Sequence, residues 1–529
     1  MMYDNIYYKP LLNEIEEVDE EEIDLSSFSK FDRQITNRKL NLRFRIRLKS
    51  LILIISLSIL LFFLSIYYFD SPKCSINNFN GYSSSNLSSN YLSKYGGSNI
   101  GELWGDYFPG FNPNNLKCSE FFNNNKTAMK QYSDCGRLTI SEDHQLDMDC
   151  SSVRRRVMGN NVYSKLNRPI AIIRNIYKGY PMQEAFMSLS YHPENSYCFV
   201  MDSKSNANFT YKMKQLARCF DNIYISDKTY DFDSSGHYQD YAHFDCLRIS
   251  LEKDKNWNHA LLLQNYDLII KTPSELSSIS EIFNGTHIFG LRGPPRLARY
   301  DRYADWSAKG LKIWKNESGK STLQLESSLL LGDGYNEVFV SRNLIQAIFD
   351  ELNVDNLLER FNDMSRYGID EQLLQTMIIN SWLGLPDQLP YHCERRMQEF
   401  GRYSHFHNGW IEIFRHLDLH TTLYDGCKSG KSRHGICLMG VEYLPRLGEM
   451  EHLLGNKPHP EFDFGTIMCV GEYLHDIEFG KQIRNLNWTL YENSVQVRQT
   501  KLVKDGEFDV RNFTCYPLGH PTRKETGAI

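Results

Sequence analysis

Short apolar runs alternate with amphipathic segments along the chain from about residue 168 onwards. The apolar runs predict buried strands, and the segments between them have the spacing of helices. Strands that alternate with helices predict an α/β fold, with a mostly parallel sheet flanked by helices. The predicted strands are 169–177, 196–202, 222–227, 259–272 and 329–342, and the predicted helices are 181–192, 209–220, 241–253 and 343–354.

A separate apolar stretch lies near the N-terminus. Residues 50–69 form 20 positions without a charged side chain, which is long enough for a helix to cross the hydrocarbon core of a bilayer. Arginine and lysine crowd the preceding ten residues, whereas few follow, so we predict a signal-anchor helix with the N-terminus in the cytosol. A cleaved signal peptide fits less well, because the apolar run starts 50 residues into the chain.

Sequons and cysteines indicate the same orientation. All 12 cysteines lie after residue 70, and so does every Asn-x-Ser/Thr acceptor. Glycosylation and disulfide formation both belong to the secretory lumen, so the chain beyond the anchor is predicted to be lumenal. The predicted glycosylation sites are Asn86, Asn125, Asn208, Asn284, Asn316, Asn487 and Asn512.

The composition of the segments on either side of the predicted anchor differs from that of the α/β region. The acidic N-terminal tail and the Ser/Asn/Gly-rich stretch after the anchor lack hydrophobic periodicity, which is typical of solvated, flexible segments. The net charge of −6 gives no indication of nucleic-acid binding. The predicted order is a cytosolic tail (1–49), transmembrane helix (50–69), lumenal stem (70–115), cysteine-containing pre-domain (116–167), catalytic domain (168–480) and C-terminal extension (481–529).

Two carboxylates are candidates for chemistry. Asp370-Glu371 precedes a helical pattern, so Asp370 is predicted to cap that helix and Glu371 to lie in its first turn, where a charged general base would be favoured. The same pair could instead be a helix cap without chemistry. Asp202 ends a predicted strand, where a carboxylate can bind the ribose or base of a nucleotide or can simply begin a turn.

The basic candidates are Lys428, Lys431 and Arg433, in a loop between two cysteines, and Lys457. Arg and Lys can neutralise a departing diphosphate, although a solvated loop would look the same. Metal signals are weak. Two D-x-D matches, at 147–149 and 231–233, resemble cation-binding patterns. Four histidines are clustered (His405, His407, His416 and His420), and the last two have zinc-ligand spacing, but no thiolate or carboxylate lies at ligand spacing from them. We therefore predict no metal and no cofactor.

Several motifs, in order, resemble those of the Core-2/I-branching glycosyltransferases, a family that also includes the peptide O-xylosyltransferases. Six segments are each similar to a block of that family. In chain order, the family blocks are a strand ending in Asp, a Cys-Phe-x-Asn strand, a Lys-Thr-x-x-Glu block, an Asp-Glu helix and two late basic blocks. The six segments of this chain read SLSYHPENSYCFVMDSKS, ARCFDNIYISDK, LLLQNYDLIIKTPSEL, YGIDEQLLQTMI, SRHGIC and GNKPHPEFD.

The resemblance implies roles for particular residues. Glu371 matches the catalytic base, Asp202 the uridine-side aspartate, and Arg433 with Lys457 the basic pair that replaces a metal; Trp410 matches an acceptor-stacking tryptophan. The implied disulfides are Cys198 with Cys246, Cys427 with Cys437, Cys150 with Cys219, and Cys118 with Cys469.

The activity implied by the resemblance is inverting, metal-independent transfer of N-acetylglucosamine from UDP-GlcNAc to a glycan or glycoprotein hydroxyl, by a GT-A-like type II membrane protein of the Golgi. Xylose transfer to a peptide from UDP-xylose is an alternative, and a non-catalytic glycan-binding module is a further one. The chain departs from the family pattern at Ile369, where a proline is expected, and at Gln264, where a cysteine is expected. The segment 287–303 also lacks an expected glutamate that would contact the acceptor.

Overall fold

A computed structural model describes residues 104–109, 116–291, 295, 297–389, 410–412, 427–433 and 436–514. The predicted membrane-spanning segment 50–69, the tail before it and most of the stem lie outside the described residues, as do Asn86 and the four clustered histidines from His405 to His420. Among the helices that are described, none combines the length and apolar character needed to cross a bilayer.

The described chain contains ten strands and sixteen α-helices with three short 3₁₀ turns. The strands are β1 Ile170–Ile176, β2 Ser196–Asp202, β3 Ile223–Tyr230, β4 His259–Leu263, β5 Leu268–Ile269, β6 Phe339–Ser341, β7 Trp410–Glu412, β8 Ser432–Arg433, β9 Ile436–Cys437 and β10 Leu454–Asn456. The helices are α1 Cys118–Phe122, α2 Lys126–Asp134, α3 Cys150–Met158, α4 Tyr180–Ser190, α5 Ala207–Arg218, α6 Gln239–Lys253, α7 Pro273–Phe283, α8 Ala308–Leu311, α9 Thr322–Glu326, α10 Arg342–Glu351, α11 Val354–Phe361, α12 Leu373–Ile379, α13 Leu444–Glu449, α14 Pro460–Glu478, α15 Trp488–Glu492 and α16 Val495–Lys504. The 3₁₀ turns are Ile369–Glu371, Ser381–Leu383 and Val441–Tyr443.

The central sheet has the order β3-β2-β1-β4-β6. Strands β1 to β4 run parallel to one another, and β6 is an antiparallel edge. Side chains of β1 alternate between two cores: Ile170 and Ile172 pack on one face of the sheet, and Ala171 and Ile173 pack on the other. This confirms the predicted α/β class and the mostly parallel sheet covered by helices.

The predicted strand 329–342 is wrong over most of its length, because only Phe339–Ser341 pairs with the sheet. The preceding residues pass too close to other backbone to form a ladder. A Cβ atom on Gly334 would lie 2.0 Å from the carbonyl oxygen of Gly290, and one on Gly332 would lie 2.8 Å from Cβ of Gln375. The two glycines therefore mark a closely packed loop that the apolar pattern resembles only in composition.

The stretch 259–272 forms two strands rather than one. After β4 the chain turns at Gln264–Asp267, where the buried Asp267 carboxylate accepts a hydrogen bond from the backbone N–H of Gln264 at 2.6 Å. The chain then enters β5, which belongs to a second sheet of order β5-β10-β7. The turn thus sends one continuous apolar run into two sheets.

Four disulfides connect distant parts of the described chain. They join Cys118 to Cys469, Cys150 to Cys219, Cys198 to Cys246, and Cys427 to Cys437. These are the same four pairs that the family resemblance implied. The first two attach the region before β1 to α14 and to the end of α5, so that region is covalently tied to the sheet-bearing part of the chain.

The asparagines of the six described sequons are exposed, so none is prevented by burial from carrying a glycan. The segment after α14 also packs on the rest of the protein. Arg484 Nε donates to Glu275 Oε1 at 2.8 Å, and Lys504 Nζ donates to the carbonyl oxygen of Asn284 at 2.7 Å.

Helix α3 provides a test of what holds the region before β1 in place. Arg156 is fully buried and its Nε lies 2.5 Å from Oε1 of the equally buried Glu184 on α4. Arg156→Met leaves that carboxylate without its charged partner, so we expect a loss of about 3–5 kcal/mol in the free energy of unfolding. The measurement is urea denaturation followed by intrinsic fluorescence.

Arg155→Met is the matched control. Arg155 is adjacent on the same helix but its side chain is 48% exposed, and it pairs with Asp106 at 2.7 Å. An exposed pair contributes up to about 1 kcal/mol, so this variant should remain close to wild type. Equal losses in the two variants would contradict the importance of the buried pair.

Candidate active site

A cleft of about 610 Å³ opens at the carboxyl ends of the parallel strands, which is where α/β sheets usually bind ligands. It brings together residues that are up to 255 positions apart in sequence: Asp202, Glu371, Arg433 and Lys457 all line it. The other lining residues include Asn175, Tyr177, Lys204, Asp233, Gln239, Asn265, Tyr266, Asn336, Glu337, Tyr367 and Asp370.

Asp202 is positioned by the end of β2. The strand is buried along its whole length, and its last residue reaches the edge of the sheet with only 6% of its surface exposed. One carboxylate oxygen accepts the backbone N–H of Lys204 at 2.8 Å, and Lys204 Nζ lies 3.3 Å from the same oxygen. Asp202 therefore presents a fixed carboxylate to one end of the cleft.

Glu371 ends the 3₁₀ turn Ile369–Glu371, two residues before α12 begins. The prediction that Asp370 caps the helix is wrong, since no side chain caps either element at this point. Asp370 instead points inward, where its Oδ2 accepts hydrogen bonds from Asn336 Nδ2 at 2.8 Å and Gln264 Nε2 at 3.1 Å. These distant amides outcompete the local capping geometry because they satisfy a buried carboxyl group.

Glycine at position 236 gives Asp370 the space it needs. Gly236 has a φ of +90°, and a Cβ atom there would lie 2.0 Å from Asp370 Oδ1. Any side chain at this position would displace the carboxyl group and, with it, the turn that carries Glu371. The requirement for glycine therefore has two causes, the positive φ and the close approach.

Arg299 holds Glu371. One guanidinium nitrogen of Arg299 forms an ion pair with Glu371 Oε2, and the same nitrogen lies 2.7 Å from Asp333 Oδ1. The side chain of Glu371 remains 25% exposed towards the cleft. Arg299 thus orients the carboxylate without covering it. Sequence reasoning missed this residue, which is one of several arginines between 292 and 302.

The basic end of the cleft is built from β8, β10 and the residues that follow β10. Arg433 Nη1 lies 2.8 Å from Nε2 of His459, and the His459 ring stacks on Tyr266 with 4.6 Å between ring centroids. Burial, reinforced by the charge of Arg433, lowers the pKa of His459 to about 4. Above that pH the imidazole is neutral and its Nε2 can accept a hydrogen bond from the guanidinium.

Lys457 lies beside Arg433. Burial lowers its pKa, as does the repulsion from Arg433, while Asp267 opposes the shift. Its Nζ is 5.9 Å from the centroid of the Tyr266 ring. Two cations next to each other are costly, and a polyanionic ligand would offset that cost. Lys428 and Lys431, the other basic candidates, are not among the residues that line the cleft.

Burial changes the ionisation of the acidic groups around the cleft. It raises the pKa of Asp370 to about 7, with help from the charge of the neighbouring Glu371. It also raises the pKa of Glu337 well above its ordinary value, and that of Asp267. These groups are disfavoured as anions, so the cleft carries less negative charge than its composition suggests.

The two D-x-D segments have other partners. Asp149 accepts the backbone N–H groups of Ser151 and Ser152 and caps α3. Asp231 forms an ion pair with Lys204, and Asp233 Oδ2 lies 2.5 Å from His237 Nδ1. Within the described residues, no group of three or more His, Cys, Asp or Glu side chains is placed to hold a metal ion.

Trp410 begins β7, whose backbone pairs in parallel with Leu454 to Asn456 of β10. This places its backbone opposite Leu454, three residues before Lys457. The placement of its side chain is outside what the structure describes, so its role in acceptor stacking stays a prediction.

Comparison with known proteins identifies the class. The chain is 25% identical over 321 residues to a rat beta-1,3-galactosyl-O-glycosyl-glycoprotein beta-1,6-N-acetylglucosaminyltransferase 3, a match covering 60% of this chain and 70% of the relative. The human enzyme of that name is 24% identical over 313 residues (58% and 68%), and a bovine herpesvirus 4 enzyme, beta-1,3-galactosyl-O-glycosyl-glycoprotein beta-1,6-N-acetylglucosaminyltransferase, is 23% identical over 325 residues (60% and 71%). Together with the α/β fold and its cleft, these relatives define a glycosyltransferase.

The family follows from the same region of the chain. The family model for the Core-2/I-Branching enzyme matches residues 170–447, more than half of the sequence. The chain therefore belongs to the Core-2/I-branching enzyme family, as the order of its motifs indicated. The matched region begins at β1 and ends within α13, so it contains Asp202, Glu371 and Arg433 but stops ten residues before Lys457.

Asp370 generates a prediction about pH. Its folded-state pKa of about 7 is above the ordinary 3.8, so the folded state binds an extra proton between these values and loses stability as pH rises through them. Asp370→Asn mimics the protonated group and removes this dependence. Between pH 4 and pH 7, wild type should lose on the order of 4 kcal/mol relative to the variant.

The measurement is the free energy of unfolding of both proteins by urea at several pH values. If the difference in free energy of unfolding between wild type and Asp370→Asn stays constant from pH 4 to pH 7, the pKa of Asp370 is not raised by burial in the folded protein.

Proposed function

We propose that this protein is an inverting, metal-independent glycosyltransferase that transfers N-acetylglucosamine from UDP-GlcNAc to a hydroxyl of an acceptor glycan. The observation that carries the proposal is the convergence of Asp202, Glu371, Arg433 and Lys457 on one cleft. Each of them supplies a group that such a reaction needs, and the nucleotide, the reacting carbon and the leaving diphosphate require these groups to lie together.

The donor would lie between the two ends of the cleft. Asp202 at the end of β2 would accept hydrogen bonds from the uridine, and Arg433 and Lys457 would bind the diphosphate. The negative charge of UDP grows as the glycosidic bond breaks. Cations that are already in place stabilise that charge without further reorganisation, so they favour the transition state over bound substrate.

Glu371 would act as the general base. Its carboxylate is held by Arg299 and remains open to the cleft, so it can accept the proton of an acceptor hydroxyl as that oxygen attacks the anomeric carbon. Attack from the face opposite UDP inverts the configuration. Holding both reactants in line would supply a large part of the rate enhancement.

The names of the relatives bear on the acceptor, and the sequons and disulfides bear on the location. The relatives' names refer to a beta-1,3-galactosyl-O-glycosyl-glycoprotein acceptor and a beta-1,6 linkage, and we propose the same acceptor class and linkage here. A lumenal catalytic domain held in the Golgi membrane by residues 50–69 accounts for the exposed sequons and for the disulfides. A donor panel with UDP-xylose would identify the alternative xylosyl transfer.

Glu371→Gln tests the base. The amide can keep a hydrogen bond to Arg299 but cannot take a proton, so turnover should fall by about 10²–10⁴, while UDP binding stays near wild type. The assays are transfer from UDP-GlcNAc and isothermal titration with UDP. Glu326→Gln, at an exposed position on α9, is the matched control and should retain full turnover. Normal transfer by Glu371→Gln would exclude it as the base.

Chelation tests the role of the two cations. If Arg433 and Lys457 neutralise the diphosphate, an excess of EDTA should leave the rate of transfer unchanged. Loss of activity with EDTA and recovery with Mn²⁺ would instead assign the diphosphate to a cation, with Asp231 and Asp233 as the first ligands to examine.

A further inference from the structure

A second cleft adjoins the segment that carries Glu371. Its volume is about 450 Å³, within the usual range of roughly 300–1,000 Å³ for ligand sites. Glu371 lines the first cleft, and the next residue, Gln372, lines the second. Arg299 connects them, because its guanidinium binds Glu371 and it also lines the second cleft.

Aromatic side chains form part of this second cleft. Trp306 packs edge-to-face on Phe361, with 5.1 Å between ring centroids, and Tyr300 lies 6.5 Å from Trp306. Trp306 Nε1 donates to the carbonyl oxygen of Asp301 at 2.9 Å, which fixes the indole. Rigid aromatic rings beside polar groups suit a pyranose, which has C–H groups on its faces and hydroxyls around its edge.

The charges of the second cleft balance. Three cationic and three anionic residues line it: Arg299, Lys312 and Arg360, and Asp301, Glu359 and Asp363. The first cleft has a distinct basic end, whereas this one has no excess of either sign. A neutral ligand with many hydroxyls therefore fits its lining better than a phosphate or an acidic sugar.

Gln372 adds an observation that points to a ligand. It is 1% exposed, and its Nε2 donates to the carbonyl oxygen of Arg299 at 3.0 Å. Its Oε1 is buried without a hydrogen-bond partner among the described residues. An unpaired buried acceptor is costly, and a sugar hydroxyl in the cleft could pair with it.

We propose that the second cleft binds the neutral sugar units of an acceptor glycan that lie beyond the unit carrying the reacting hydroxyl. The inference rests on the proposed transferase function, since it takes Glu371 as the point where that hydroxyl lies. Because consecutive residues, Glu371 and Gln372, line the two clefts, a glycan whose reacting hydroxyl lies at Glu371 would have the second cleft next to it. The enzyme would then favour extended acceptors over minimal ones.

The test compares acceptors of different length with the full chain. The probes are a galactose-β1,3-N-acetylgalactosamine disaccharide and neutral oligosaccharides that extend it by one and by two sugars. We expect KM to fall by about 5- to 10-fold from the shortest to the longest, the effect of one or two additional net hydrogen bonds. Equal KM values for all lengths would overturn the proposal.

Glu359→Ala examines the cleft itself. Glu359 is exposed on α11 and lines the second cleft, so its truncation should not unfold the protein. It should bring the ratio of KM for the disaccharide to KM for the longest acceptor towards one. Asp355→Ala is the matched control, since Asp355 is exposed one turn earlier on the same helix and is not among the cleft-lining residues. It should retain the preference. Loss of the preference in both variants, or in neither, would count against this site.

Equilibrium binding separates the two proposals. Binding of the neutral tetrasaccharide, followed by tryptophan fluorescence without donor, does not require transfer. The wild-type protein could bind the tetrasaccharide, lose affinity for it on Glu359→Ala, and yet transfer no sugar. That result would support glycan binding by the second cleft and reject the transferase function. Sugar transfer without tetrasaccharide binding at this cleft would support the transferase function and reject glycan binding by the second cleft. If a sialylated tetrasaccharide bound more tightly than the neutral one, the proposal that the second cleft takes neutral sugars would be wrong.

Discussion

The buried turn Gln264–Asp267 is the junction on which both sheets and the cleft depend. The fully buried Asp267 carboxylate accepts hydrogen bonds from the Gln264 backbone and, at 2.8 Å, from Asn456 Nδ2. Arg174 Nη1 donates to the carbonyl oxygens of Gln264 at 2.9 Å and Asp267 at 2.8 Å. A carboxyl group buried without these partners would be costly. The contacts therefore fix β1, β4 and β10 in a single arrangement.

Three groups of the candidate site take their positions from this turn. Lys457 directly follows Asn456, which Asp267 holds. Tyr266, within the turn, supports the His459 ring that pairs with Arg433. The Gln264 side chain donates to Asp370, next to Glu371. The acidic and basic ends of the cleft are thus connected through one short segment, and a change in its geometry would displace both together.

Much of the fold was predictable, because β1, β2 and β4 are buried along their whole length and read as continuous apolar runs. The failures have a common physical origin. Asp370 has the local sequence of a helix cap, and only Gln264 and Asn336, distant in sequence, draw it inward. The loop before β6 has the composition of a strand, but close contacts with other backbone at its glycines prevent pairing. In each case tertiary contacts outweigh a local pattern.

The site was predictable to a different extent. The apolar run of β2 was enough to place Asp202 at the carboxyl end of a strand. The local patterns around Glu371, Arg433 and Lys457 made them candidates only, and resemblance to a family assigned their roles. Arg299 carried no signal at all. Its contact with Glu371 is visible only in the structure, as is its approach to Gly368, where a Cβ atom would lie 3.0 Å from its guanidinium carbon.

The buried carboxyl groups explain how an acidic cleft could accept a diphosphate. Asp370 and Glu337 line the cleft, and Asp267 is buried next to Tyr266, which also lines it. Three full negative charges at these positions would repel a nucleotide. Burial raises the pKa of each, so below about pH 7 Asp370 is largely neutral. Glu371 lines the same cleft but is partly exposed and paired with Arg299. Fewer negative charges then oppose a diphosphate at the end of the cleft that Arg433 and Lys457 line.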